Sequence, residues 1–294
     1  MFLSKSSNLN KAALEEKTFV LCLGSQKCGT TWLHDYLNSH SFADFGFAKE
    51  YHIFDSVHSK LWARGRETAI QRLRDDINKH PVRIRRRVVQ RVNFMVNPES
   101  YLDYFTGRLS RPRICLTGDM TPAYSALPVE VLKFIRDGFK ERSIRVRPVL
   151  LMRDPVYRLQ SMIRMTFRKN QVVPTKEQEL AAMNANMLKP GDDQRANYPE
   201  IIKRARSVFG KEGVYFELFE CLFAERTREK LGDYLGLSLD APRIDEVKNF
   251  SRTSNSLTPE EYAAFRSRYE RLYSRVKKAT GLDTDTHWRF KENA

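Results

Sequence analysis

Residues 18–39 read TFVLCLGSQKCGTTWLHDYLNS, and this stretch decides the fold. Residues 18–24 are a short apolar run ending in Gly24, the pattern of a buried strand. Residues 29–39 follow with helical spacing, Trp32, Leu33, Tyr36 and Leu37 forming one stripe. Between strand and helix lies a tight loop, Gly24-Ser25-Gln26-Lys27-Cys28-Gly29-Thr30-Thr31. Such a loop exposes backbone N–H groups, and with the positive end of the helix dipole they hold an anion. Lys27 adds a point charge, and Thr30 and Thr31 add hydroxyl donors. Compared with the nucleotide-triphosphatase loop G-x-x-x-x-G-K-[ST], Gly24 and Gly29 keep their spacing, but Thr30 stands where lysine should follow. The lysine has moved earlier, to position 27. No acidic residue closing an apolar strand reads clearly as a magnesium ligand; Asp154, followed by Pro155, is the nearest. The loop is expected to cradle a phosphate without the usual metal.

Outward from this unit, residues 113–117, 145–152 and 214–218 read as further strands. Pro148 places the start of the 145–152 strand at an edge or a bend. Helical patterns cover 128–139, 156–168, 221–235 and 259–280. Strands alternating with helices predict an α/β, P-loop-like three-layer fold, a mostly parallel central sheet flanked by helices. One domain is expected over residues 1–294, with a polar N-terminal tail at 1–17. Residues 42–110 read as a helical insertion shaping a second binding site. In it Arg83, Arg85, Arg86, Arg87 and Arg91 crowd together, either as a solvated face or as a dock for an anionic partner. Residues 170–198 are polar, carry Pro174, Pro190 and Gly191, and read as a lid-like loop.

Of the 294 residues, 41% are hydrophobic and 30% charged, enough apolar material for a core, which excludes a mainly disordered chain. Lys+Arg exceed Asp+Glu by 51 − 36 = 15, which favours anionic partners without choosing among them. A nucleic-acid binder would show a reading module or aromatics interleaved with basic residues on a sheet face, and neither is found. Cys22, Cys28, Cys115 and Cys221 show no C-x-x-C spacing and no zinc pattern, so buried free thiols are expected. The segment Met1 to Lys17 lacks the apolar core of a signal peptide, and no run approaches the ~20 apolar residues of a membrane span. With reduced cysteines, this predicts a cytoplasmic protein.

The loop GSQKCGTTWL resembles the 5′-phosphosulfate loop of sulfotransferases that use 3′-phosphoadenosine 5′-phosphosulfate (PAPS). Residues 151–161, LMRDPVYRLQS, are similar to the same family's 3′-phosphate motif, in which an arginine ends a strand and a serine lies eight residues on. Arg153 and Ser161 match it, and a guanidinium fork with a hydroxyl suits a terminal phosphate. Residues 49–55, KEYHIFD, resemble the K-E-x-H-F-F segment of glycan sulfotransferases related to the heparan sulfate enzymes, with Trp62 near the place of an aromatic pair. Residues 118–124, GDMTPAY, resemble those enzymes' G-E-x-T-P-x-Y segment, with Asp119 in place of glutamate. The Leu-Thr-Pro-Glu-Glu helix start at 257–261 and Trp288 also fit.

The resemblance implies in-line transfer of a sulfuryl group from PAPS to an acceptor hydroxyl, without a metal. Ser25, Gln26, Lys27, Cys28, Gly29, Thr30, Thr31 and Trp32 would hold the donor's 5′ side, and Arg153 and Ser161 its 3′-phosphate. Lys27 would neutralise the leaving oxygen. Glu50 is the first choice of base and His52 the second; Asp119 and Tyr124 would shape the acceptor site, or Asp119 would hold Lys27. Cys28 reads as a spacer, although a helix N-terminus lowers a thiol pKa. Tyr157 and Arg158 read as helix surface, or Arg158 as a nucleotide contact. The acceptor is expected to be a carbohydrate, an anionic or lipid-linked glycan among the options, with no nucleic-acid partner. The alternatives are a triphosphate-dependent kinase with a degenerate loop, a basic nucleic-acid-binding protein, and a non-catalytic binder of the spent donor.

Overall fold

The computed structural model describes residues 16–58, 64–79, 85–187, 195–241 and 256–291. Most of the expected N-terminal tail, Trp62, Arg83, Pro190 and Gly191 lie outside the described residues. The chain runs β1 (Thr18–Cys22), α1 (Thr30–Asn38), α2 (Phe54–His58), α3 (Arg64–Lys79), α4 (Arg86–Val96), α5 (Pro98–Leu109) and β2 (Leu116–Asp119). It continues through a 3₁₀ turn (Pro122–Ala126), α6 (Val129–Glu141), β3 (Arg145–Met152), α7 (Pro155–Lys169), α8 (Lys176–Met187), α9 (Tyr198–Phe209) and β4 (Tyr215–Leu218). After a second 3₁₀ turn (Phe219–Cys221) come α10 (Glu225–Leu235), α11 (Pro259–Ser267), α12 (Glu270–Thr280) and α13 (Thr284–His287).

The four strands form one parallel sheet in the order β2-β1-β3-β4. Every residue of β1 is buried because helices cover both faces. Alternation along the strand separates two cores. Phe19 and Leu21 pack with Phe105 of α5, Ile135 of α6 and Ile202 of α9. Val20 and Cys22 pack with Leu33 and Leu37 of α1 and Leu231 of α10. The expected α/β three-layer architecture is what the chain adopts. Among the described residues no helix is long and apolar enough to cross a membrane.

Pro148 sits in an inner strand, yet costs no ladder bond. Arg145 and Leu151 donate their N–H groups toward β1, so Pro148 faces the β4 side, where pairing begins only at Val149. Its carbonyl accepts from the Tyr234 hydroxyl instead, at 2.9 Å.

Three expectations need correction. β2 starts at Leu116 rather than 113, because Arg113 has φ 67° and Ile114 donates back to Arg111 in a turn. That shift carries Asp119 to the strand's carboxyl end. Within 170–198, where a loop is expected, residues 176–187 form α8, and α9 begins at the segment's last residue, Tyr198. The polar look of α8 hides its anchor: Glu179 is buried and accepts from Arg164 and Gln160 at 2.9 and 2.8 Å. The 259–280 helix is broken at Arg268–Tyr269. A straight helix would hold Tyr262 and Tyr273 about 16 Å apart along its axis; the break lets both hydroxyls reach Asp154, at 2.6 and 2.7 Å.

Candidate active site

The loop after β1 extends the sheet before turning: Leu23 and Ser25 donate to Val149 and Leu151, and Leu151 donates to Gly24. Gly24 and Gly29 have φ 106° and 87°. A Cβ on Gly29 would lie 2.6 Å from a Leu222 methyl, so glycine is required twice over, by conformation and by space. Gly29 is the N-cap of α1, and no side chain caps the helix. The first-turn N–H groups, those of Thr30 and Thr31 among them, therefore have neither a helical carbonyl nor a cap.

Lys27, itself at φ 72°, stands half-buried on this loop. Burial, with Arg168 and Arg153 as like charges, lowers its pKa. Arg153 directly follows β3; its guanidinium lies over the Phe219 ring at 4.6 Å and makes a long 3.5 Å contact with the Lys27 carbonyl. Its backbone is pinned by Tyr198, whose hydroxyl donates to the Arg153 carbonyl at 2.9 Å. Burial lowers the Arg153 pKa too. Neither Lys27 nor Arg153 has a carboxylate within ion-pair distance among the described residues. Ser161 is half-exposed on α7, and Arg168 lies two turns further along the same face.

The remaining loop residues divide. Ser25 is buried and donates to the Arg195 carbonyl at 3.0 Å. Gln26 has a buried side-chain oxygen with no hydrogen-bond partner among the described residues. Cys28 is buried, its Sγ 3.8 Å from the Tyr198 hydroxyl. Burial pushes its pKa up to about 11, so the helix terminus does not make it a reactive thiol. Thr30 is buried, and Trp32 stacks on Tyr36 at 5.0 Å with Phe223 edge-on at 5.1 Å.

The second half of the site is a strap, residues 49–55, laid across the carboxyl end of β2. Met120 donates to the Lys49 carbonyl at 3.0 Å, while Tyr51 and His52 donate their N–H groups to Asp119 and Thr121 at 3.4 and 3.2 Å. The Ile53 N–H reaches the Tyr124 hydroxyl at 3.3 Å. Asp119 is the buried hub, accepting also from Thr121, Tyr124 and Tyr101 at 2.6, 2.8 and 3.0 Å. Burial outweighs these bonds and pushes its pKa up to about 6. Asp119 thus holds the strap, and its bonds go to Tyr51, Tyr101, Thr121 and Tyr124 rather than to Lys27. Tyr124 is 1% exposed and lies behind the strap rather than on its open face.

Along the strap runs a charge chain. Lys49 donates to the Thr31 hydroxyl at 2.8 Å and to Glu50 at 2.6 Å. Glu50 meets His52 Nε2 at 3.1 Å, and His52 Nδ1 meets the buried Asp55 at 2.7 Å. Burial alone would raise Glu50, but His52 and Lys49 overcome it and bring the carboxyl to about 2. Burial would lower His52, but Asp55 and Glu50 hold its pKa at about 9. His52 is therefore an imidazolium at neutral pH.

Elsewhere, Tyr157 and Arg158 are buried, not helix surface. Val156, Tyr157, Leu159, Met162 and Ile163 of α7 face a core, and Asp154, the N-cap, accepts from the Val156 N–H. Arg85, Arg86 and Arg87 are exposed; with Phe47, Tyr104 and Arg108 they line an open groove of about 1120 Å³. Sequence reasoning gave no role to Lys49, Tyr198, Phe219 or Glu220. The last two directly follow β4 at the carboxyl edge of the sheet, where ligands bind in open α/β folds, and that was the available signal. Glu220 accepts from the Asp154 N–H and from Trp288 Nε1 at 3.2 and 3.0 Å.

No protein-family model matches the sequence, and no curated protein matches it. Among solved structures, a sulfotransferase from Alicyclobacillus acidocaldarius superposes with a TM-score of 0.54 at 18% identity, over 93% of this chain and 99% of that one. The sulfotransferase domain of the Synechococcus PCC 7002 olefin synthase gives 0.43 at 15% identity, over 77% of this chain and 76% of that one. By the first of these likenesses, over nearly its whole length, the chain has the sulfotransferase fold.

Proposed function

We propose that the protein is a sulfotransferase that moves the sulfuryl group of PAPS to an acceptor hydroxyl. The observation that carries this reading is the pair Lys27 and Arg153: two half-buried cations beside an uncapped helix N-terminus, neither in a salt bridge among the described residues, although Glu220 and Asp154 act on Arg153 from a greater distance. Desolvated cations with no carboxylate in direct contact gain most when an anion joins them. Lys27 and the Gly29–Thr31 N–H groups suit the 5′ phosphosulfate. Arg153 and Ser161 suit the 3′-phosphate, and the aromatics Trp32, Phe219 and Phe223 suit the adenine. Glu50, ionised above about pH 2, stands as base, and His52, already protonated below about pH 9, does not.

In the transfer, the acceptor oxygen bonds to sulfur as the bond from sulfur to the phosphate oxygen breaks. The acceptor proton passes to Glu50. The leaving bisphosphate keeps the electron pair beside Lys27, so catalysis is mainly positioning and electrostatics. The kinase alternative is disfavoured by Asp154, its nearest magnesium ligand, which is fully buried with both oxygens engaged by Tyr262, Tyr273 and the Val156 N–H. A carbohydrate acceptor is supported by the 49–55 and 118–124 resemblances and by the arginine-lined groove that reaches Phe47, two residues before Lys49. The test is release of 3′,5′-adenosine bisphosphate from PAPS across a panel of glycan, alcohol and phenol acceptors. Acceptor-dependent release that Lys27→Ala abolishes is expected; full release by that variant would refute the assignment.

A further inference from the structure

Glu50 as it stands is a poor base. A general base works best with a pKa near the working pH, and this carboxylate is clamped between two cations. One of the two must leave before Glu50 can take a proton. His52 is the fixed partner: its other nitrogen is tied to Asp55, which is buried at the start of α2, and its backbone N–H is tied to Thr121. Lys49 is held at its carbonyl by Met120, but its ammonium ends a flexible four-carbon side chain with no buried carboxylate to anchor it among the described residues. Its ammonium spans from Glu50 to the hydroxyl of Thr31, in the first turn of α1, where the donor's anion is placed.

We propose that Lys49 is a positioning residue that couples donor binding to the base. Without donor its ammonium holds Glu50 as a spent ion pair. With PAPS on the loop, the donor's negative charge competes for the ammonium at Thr31, Lys49 shifts from the carboxylate toward it, and Glu50 is released to accept the acceptor's proton. The proton ends on Glu50, the new bond joins acceptor oxygen to sulfur, and the bisphosphate departs with the electron pair of the broken sulfur–oxygen bond. The inference rests on the sulfotransferase reading of the same site.

The groups that face Glu50 and Lys49 are His52 and Asp55 on the strap side, His34 on α1, Cys22 at the end of β1 and Asp119 at the end of β2. None of them bridges Glu50 to the phosphate loop by hydrogen bonds as Lys49 does. By reciprocity, whatever the donor does to this ion pair, the ion pair does to donor affinity.

The experiment uses the full chain labelled with ¹³C at glutamate side-chain carboxyls, the Glu50 signal assigned with Glu50→Gln, and PAPS without acceptor as the probe. Thermal unfolding run in parallel establishes whether PAPS is bound. Removing one close opposite charge should raise the Glu50 midpoint by about 1–3 units when PAPS is bound. Lys49→Met should show the raised midpoint without PAPS and no further rise with it. Lys49→Arg should restore the donor-dependent rise. A bound donor that leaves the Glu50 signal unmoved would overturn the coupling while leaving the donor site intact. No binding of PAPS at all would remove the donor reading and this inference with it. Should acid unfolding precede titration, the pH profile decides. In Lys49→Met the acid limb of kcat/KM for PAPS should move up to meet that of kcat, which stays in place; a kcat/KM limb unchanged from the native chain would contradict the proposal.

Discussion

A lysine at φ 72° is uncommon, and Lys27 adopts it in the loop between Gly24 and Gly29. A non-glycine residue in that region costs roughly 1–2 kcal/mol. Lys27→Gly should therefore raise the unfolding midpoint while abolishing turnover, the signature of strain kept for function. A fall in the midpoint would show that the lysine side chain is structural. Arg153→Ala removes a charge-assisted contact and should weaken 3′,5′-adenosine bisphosphate by about 10- to 100-fold in calorimetry; unchanged affinity would take Arg153 out of the donor site. His52 sets a pH dependence whose sign follows from its raised pKa. The group is favourable to the fold at and below its ordinary value of 6.5, and that stability is lost as pH rises through about 9. The loss should reach roughly 3 kcal/mol at most. Denaturant unfolding between pH 6 and 10 should show this slope in the native chain and not in His52→Asn.

At the scale of elements, the strap depends on β2 through Asp119. Asp119→Ala would strand the Thr121, Tyr124 and Tyr101 hydroxyls and the Tyr51 N–H, each buried donor costing about 1–3 kcal/mol when unsatisfied. Hydrogen exchange should then accelerate at Tyr51, His52 and Ile53 while β1 and β3 stay protected; uniform protection would show that the strap holds itself. The strand–loop–helix unit of β1 and α1 was legible because its apolar residues follow the periods of a two-faced strand and a one-faced helix. The helix α8 was not, since its burial rests in part on a polar trio, Glu179, Arg164 and Gln160, which composition reads as solvent-facing. The break between α11 and α12 was not legible either, because its cause, Asp154, lies more than 100 residues away in sequence. In the site, the loop from Gly24 to Thr31 could be read as an anion cradle from its glycines and flanking elements, whereas Arg153 and Ser161 were singled out only through the family resemblance. The partners that decide its chemistry could not. That Lys49 reaches Thr31, and that Asp119 serves the strap rather than Lys27, depends on which loops meet at the carboxyl edge of the sheet.

Over the whole molecule, an excess of 15 positive charges surrounds a site that already concentrates Lys27, Arg153, Arg168 and Lys169. Such a field speeds and strengthens the capture of a multiply charged anion and is screened by salt. Charge alone does not separate a small phosphate-bearing ligand from nucleic acid; in the proposed reading the distinction lies in the loop and Arg153, not in the total. The most direct measurement is thermal unfolding of the full chain with 3′,5′-adenosine bisphosphate, beside ATP with magnesium, with and without EDTA. Ligand at ~100 times its dissociation constant adds about 2.7 kcal/mol, a rise of several degrees. The account predicts that rise with the bisphosphate, unaffected by EDTA and absent in Lys27→Ala/Arg153→Ala. A rise only with ATP and magnesium, abolished by EDTA, would contradict it.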